Sequence, residues 1–86
     1  MIDNYMMYKN LPQLDLHQMN RYEAEVAIKE FININYKQNN KLLIIIHGKG
    51  SYILKNKTHE ILKRKKEVKT YKIDIFNDGQ TIVELK

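Results

Sequence analysis

The five residues Leu42–Ile46, LLIII, are apolar at every position, so a strand built from them has no side to turn toward water. Apolar residues on both parities suit a central strand shielded on both faces better than an edge strand. A chain of 86 residues can supply that shielding from one core only, so the elements on either side must pack around this strand. The run is far short of the roughly 20 apolar residues that cross a bilayer, and no membrane helix is expected. It stops abruptly at His47, Gly48, Lys49 and Gly50, which place an imidazole, two bare backbone positions and an ammonium group at the strand's end.

The flanking pattern supplies the neighbours. Residues 13–17, QLDLH, alternate polar and apolar after Pro12, which reads as a short strand with Leu14 and Leu16 on one face and Asp15 and His17 on the other. Asn20 with Glu23 three residues later forms a capping-box pattern, and a helix is predicted to run to about Lys37. Ala24, Ala27, Ile28, Phe31 and Ile34 form its apolar stripe. Asparagines 39 and 40 end it. After the glycine loop, Ile53, Leu54, Ile61 and Leu62 give a second helix its buried side up to about Arg64, with His59 read as a surface residue. Residues 68–76 read as a third strand, Asn77-Asp78-Gly79 as a hairpin turn, and residues 81–85 as a fourth strand. The order is β-α-β-α-β-β. Residues 1–12, including Tyr5, Met6, Met7 and Tyr8, show no clear period and are expected to form an N-terminal arm, leaving 13–86 as the domain.

Such an order implies an α/β fold with parallel strands joined by right-handed crossovers and one antiparallel strand added by the hairpin. The first two strands then end on one rim, at His17 and His47. If they are adjacent, about 4.8 Å apart, the two imidazoles converge. Ligands of open α/β sheets collect outside the carboxyl ends of the strands.

Charge points to the same place. The net charge is +5, and residues 49–72 hold nine Lys and Arg against two Glu. Clustered cations suit a polyanion, because they displace condensed counterions from phosphates; a solvated helix face in a lysine-rich chain has the same composition. Cysteine is absent, which removes disulfides and thiolate metal sites and agrees with a reducing compartment. No signal-peptide pattern stands at the N-terminus, and a cytoplasmic protein is expected. Gly48 and Gly50 would let a sugar-phosphate backbone approach, and the start of the second helix turns N–H groups toward the same place. Asp15 and His17, two apart on a strand, share a face on which a carboxylate can orient an imidazole or position a water. A carboxylate that merely satisfies nearby backbone donors fits the same spacing. A closed structural metal site is not expected, and a loosely held divalent ion at Asp15 and His17 stays open.

Taken together, Leu14-Asp15-Leu16-His17, Ile46-His47-Gly48-Lys49-Gly50 and the closing Thr81-Ile82-Val83-Glu84-Leu85 resemble the Smr (small MutS-related) domain, with its LDLHG-type and HGKG motifs in this order. The resemblance covers about residues 13–86. It implies a two-layer β-α-β-α-β-β sandwich with a four-stranded mixed sheet, similar to the C-terminal domain of translation initiation factor three. It also implies binding of RNA or DNA, and endonuclease activity as in several members, including cleavage of mRNA on stalled or collided ribosomes. Asp15, His17 and His47 are the implied catalytic residues. Gly48, Lys49 and Gly50, with Tyr52, Lys55 and Lys57 beyond them, are the expected nucleic-acid contacts. A non-catalytic adaptor that grips nucleic acid or the ribosome is the alternative. The sequence departs from the family in having Gln18 where a glycine follows DLH, Tyr52 where a glycine often recurs, and Asn77-Asp78-Gly79-Gln80 in place of a longer glycine loop.

Overall fold

A computed structural model describes residues 10–50 and 52–86. Leu42–Ile46 is strand β2 at the centre of events: β1 (Gln13–Asp15) pairs with it in parallel and β4 (Asn77–Leu85) pairs antiparallel on its other edge. β3 (Val68–Asp74) adds antiparallel to β4, so the order across the sheet is β1-β2-β4-β3. β1, β2 and β3 therefore run the same way and end at one rim. Among the described residues, no helix is long and apolar enough to cross a membrane. The expected arm lies outside the described residues except for residues 10–12.

Both faces of β2 are covered, as its composition requires. Leu43 and Ile45 meet Leu16 of the β1 extension, Val83 and Leu85 of β4, and the inner sides of helices α1 (Arg21–Lys37) and α2 (Tyr52–Arg64). Ile44 and Ile82 form a smaller cluster on the opposite face with Leu11 and Ile46. Both helices thus lie on one side of the sheet. Fully burying each of these aliphatic side chains is worth about 1.5–3 kcal/mol, which is why a five-residue strand can organise the chain.

α1 begins as its sequence predicts: the Asn20 side chain accepts from Glu23 N–H at 2.8 Å, and Glu23 accepts from Asn20 N–H at 2.9 Å. It ends as Asn39 enters the left-handed region at φ 66°. Its buried side is Ala24, Ile28, Ile32 and Asn35, with Ala27 and Phe31 beside it. The expected stripe is corrected at Ile34, which is 46% exposed. At about 100° per residue, Ile34 lies about 120° around the helix from Ile28, outside the face that meets the sheet. Asn35 takes the inward place because its amide donates to the Phe31 carbonyl at 2.8 Å and its oxygen accepts from Asn40. On α2, Leu54, Ile61 and Leu62 are buried as expected, whereas Ile53 in the first turn is exposed.

The hairpin is corrected more substantially. The chain reverses at Ile75 and Phe76, and Asn77-Asp78-Gly79 already belongs to β4. The buried Asp74 carboxylate drives this: one oxygen accepts from Phe76 N–H at 2.9 Å and the other from the Gln80 amide at 2.7 Å. Ile73 pairs with Thr81 while Asp74 pairs with Asn77, so residues 78–80 bulge out of the β3–β4 ladder. The bulge brings the Gly79 carbonyl to the end of β2, where it accepts from His47 N–H at 2.9 Å and Gly48 N–H at 2.8 Å. A Cβ on Gly79 would stand 3.0 Å from Lys49 Cγ and 3.3 Å from the Gly48 carbonyl carbon. Gly79→Ala is therefore expected to lower stability by about 1–3 kcal/mol, read from the midpoint of urea unfolding; an unchanged midpoint would refute this close approach.

Candidate functional site

The shared rim gathers the two motifs. One open cavity of about 470 Å3 is lined by Asp15, His17, Gln18, Ile46, His47, Gly48, Gly50 and Leu54. It exists because β1 and β2 are adjacent and in register, with Asp15 opposite Ile46, and because Leu16 N–H continues the ladder to the Ile46 carbonyl at 2.9 Å. The chain after Leu16 then turns sharply: Met19 N–H returns to the Leu16 carbonyl at 3.0 Å, and Gln18 takes a left-handed φ of 66°. That conformation favours glycine, and a glutamine there is strained.

Asp15 and His17 are both exposed at the cavity mouth. The Asp15 Oδ1 atom accepts from the backbone N–H of His17 at 2.9 Å, so the carboxylate holds the turn that carries the histidine. Of the two readings that the DxH spacing left open, this hydrogen bond is the backbone one. Gly48 has φ +87°, and a Cβ placed on Gly48 or Gly50 meets no atom within 4 Å. The loop therefore leaves open space beside the histidines, at the entrance to α2.

His47 is built differently from His17. It is buried, with only 3% of its surface exposed. The Gly48 carbonyl can only accept, so in the 3.1 Å contact between them the proton sits on His47 Nδ1. The neutral ring then presents a lone pair at Nε2, which receives the Thr81 hydroxyl at 2.9 Å. Burial is the main cause that holds the His47 imidazole below its ordinary pKa; the Gly48 contact and Asp78 work against it, and Lys55 works with it. His47 is thus a neutral hydrogen-bond donor at Nδ1, with Nε2 engaged.

His59, expected at the surface, is corrected: it is partly buried, its Nε2 lies 2.8 Å from the same Thr81 oxygen, and its ring stands edge-on to His47 at 6.0 Å and tilted on Tyr71 at 5.2 Å. Its pKa is also lowered, chiefly by burial, then by His47 and Lys55. The signal for it lay in β4. Thr81, Val83 and Leu85 share the inward parity, and an inward hydroxyl must find partners.

The cationic residues divide. Lys49 stands on the loop above Gly79 with its side chain 72% exposed, 3.9 Å from an equally exposed Asp78, a pair that solvent screens heavily. Tyr52 is 71% exposed, and Lys55 Nζ lies 5.8 Å above its ring centre. Lys57 does not join them. It turns toward α1, where it pairs with Glu25 at 2.9 Å and Glu60 at 3.7 Å. Hydrogen bonds from Lys29 and Lys57 hold the Glu25 carboxyl down to about 2. Lys55 and His59, four residues apart, share one side of α2, and Lys57 lies between them in sequence but around the helix from both. Among the described residues, no three His, Asp or Glu side chains gather as a set that could hold a metal ion.

The sequence matches the Smr domain family over residues 14–86. It is 34% identical over 77 residues to the endonuclease MutS2 of Clostridium tetani, and 37% identical over 76 residues to that of Clostridium kluyveri. These matches cover 86% and 85% of this chain but 10% of each relative, so the chain spans about a tenth of their length. The crystal structure of the Smr domain of Thermus thermophilus MutS2 superposes with a TM-score of 0.84 at 24% identity, covering 88% of this chain and 99% of that one. The structure of YdaL, a stand-alone small MutS-related protein from Escherichia coli, gives 0.82 at 23% identity over 86% of this chain and 63% of that one. These two likenesses establish the fold.

Two measurements test the site's construction. Replacing the strained residue, Gln18→Gly, is expected to raise stability by about 0.5–1 kcal/mol in urea unfolding, the relief of a left-handed side chain less the added entropy of glycine. His47 and His59 bind protons less readily folded than unfolded, so the unfolded chain takes up more protons as pH falls below 6.5, the ordinary imidazole value. Stability should therefore be complete above that pH and decline below it. The melting temperature is expected to fall between about pH 7 and about pH 5, before Glu25 and other carboxylates begin to titrate; a flat profile would contradict the buried neutral rings.

Proposed function

The chain belongs to the Smr family, and from that premise we propose that it binds nucleic acid and cleaves a phosphodiester bond in the rim cavity, in single-stranded RNA, including ribosome-associated mRNA, rather than in DNA. The observation that carries this reading is the single cavity lined by Asp15 and His17 of one motif and His47, Gly48 and Gly50 of the other. The MutS2 relatives are named endonucleases, which supports cleavage as the family chemistry. RNA is favoured because the groups at hand are imidazoles, a carboxylate, backbone N–H groups and an ammonium. These suit a substrate that brings its own nucleophile, the ribose 2′-hydroxyl.

The roles follow from that reading. His17, exposed at the mouth, takes the proton from the 2′-hydroxyl as O2′ bonds to phosphorus. Asp15 keeps His17 in place through the backbone hydrogen bond of its turn. His47 is unsuited to act as a base, because its Nε2 lone pair is engaged by Thr81; its one Nδ1 proton goes to the Gly48 carbonyl, so His47 braces the glycine loop that receives the phosphate. The bare Gly48 and Gly50 admit the phosphate, and Lys49 adds charge. The bond from phosphorus to the 5′-oxygen breaks, and that oxygen takes a proton from water in the open cavity, leaving a 2′,3′-cyclic phosphate. Tyr52 offers an exposed face for a neighbouring base, with Lys55 beside it. Lys57, already paired with Glu25, contributes least to binding.

A second reading has its own support. Gln18 and Tyr52 carry side chains where the family often has glycine, which narrows the approach and favours an adaptor that holds RNA without cutting it. The deciding experiment is cleavage of single-stranded RNA with end-group analysis. Wild type is expected to leave cyclic phosphate ends. His17→Ala should lose about 100-fold or more, the usual worth of a general base. Asp15→Ala should lose about 10-fold, while Asp15→Asn, whose amide oxygen can still accept the His17 N–H, should stay within a few-fold. Wild-type cleavage by His17→Ala removes the catalytic assignment. Salt-sensitive RNA binding with no cleavage by any variant, with or without divalent ions, selects the adaptor.

A further inference from the structure

Thr81 is fully buried and serves two histidines with one hydroxyl. A hydroxyl has one proton to give and two lone pairs to receive, so Thr81 either relays between the two histidines or accepts from both, and the question is whether His47 Nε2 gives or receives. The Gly48 carbonyl decides it. Were the chain to run from His47 Nε2–H to Thr81 and on to a lone pair of His59, His47 Nδ1 would carry no proton and would face the Gly48 oxygen at 3.1 Å as a second acceptor. Two acceptors at that distance repel. In the opposite direction every group is satisfied. His59 Nε2–H donates to Thr81, Thr81 donates to His47 Nε2, and His47 Nδ1–H donates to Gly48.

We propose that His59 is a positioning residue of the site: by donating to Thr81 it turns the Thr81 hydroxyl toward His47 and so fixes which nitrogen of His47 carries the proton at the glycine loop. His59 sits on the second turn of α2, held by the tilted Tyr71 ring and by contact with β4, and so reaches the rim chemistry from behind the strand. The two rings are thereby locked in opposite neutral tautomers, Nδ1–H for His47 and Nε2–H for His59. The inference rests on the cleavage reading for its consequence but not for its geometry, which can be measured without any substrate.

The test is nitrogen-15 NMR of the histidine rings in the folded protein near neutral pH, followed by two near-isosteric variants. Wild type is expected to show His47 protonated at Nδ1 and His59 at Nε2; both rings in the Nε2–H form would overturn the proposal before any variant is made. His59→Gln keeps a donor for Thr81 and is expected to preserve the His47 Nδ1–H signature and hold cleavage within a few-fold. His59→Glu offers only an acceptor, which draws the Thr81 proton away. His47 should then move to an Nε2–H or doubly protonated form, with cleavage falling about 10-fold or more. An unchanged His47 spectrum in a folded Glu variant would overturn the proposal. If wild type shows the opposite tautomers but cuts no RNA, the cleavage reading fails and the positioning assignment stands.

Discussion

The structure depends on the burial of β2 on both faces. Leu43 and Ile45 on one side, and Ile44 on the other, are withdrawn almost completely from water, and a strand with no exposed face must also have both edges paired. That requirement calls in β1 on one edge and β4 on the other, and it fixes their register, because a slip of one residue would exchange the two faces. The rim site follows from the same pairing. Once Leu14 lies opposite Ile45, the residues after each strand emerge side by side, and the DLH and HGKG motifs share a cavity without any long-range device.

Where β2 ends, burial passes from hydrocarbon to polar groups. His47 continues the inward parity of Leu43 and Ile45, so its ring enters the helix-covered layer, where an unmatched nitrogen would cost about 1–3 kcal/mol. Gly48, Thr81 and His59 supply the matches. The Gly79 carbonyl does the same for the two backbone N–H groups at the strand's end, where a side chain on residue 79 would crowd Lys49 and the Gly48 backbone. His17 has no such enclosure. The two motif histidines therefore differ in kind, one buried, neutral and oriented, the other exposed on a turn held by Asp15.

Much of the architecture was legible because it is written in local pattern. The Asn20 cap, the alternation around Leu14 and Leu16, and the apolar run of β2 each declare their element within a few residues. The misreadings came where two patterns competed. Ile34 fits a helical stripe, yet Asn35 takes the inward place because its amide can reach the Phe31 carbonyl and its oxygen the Asn40 side chain. Asn77-Asp78-Gly79 is a strong turn signal, yet the Asp74 carboxylate captures Phe76 N–H first and closes the turn two residues earlier. Lys57 reads as one more cation of a basic segment, but α1 presents Glu25 to it.

What the sequence determined by itself is the order of elements, the depth of β2 and the presence of two motifs at strand ends, since each rests on periodicity or on residues adjacent in the chain. Tertiary structure alone decided that β4 inserts between β2 and β3, that His59 meets Thr81 across 22 residues of sequence, and that Asp15 takes the backbone N–H of the two partners its spacing allowed. Those outcomes turn on distances of about 3 Å between groups on separate elements. Such distances are set by how whole faces pack, and no spacing along the chain encodes them.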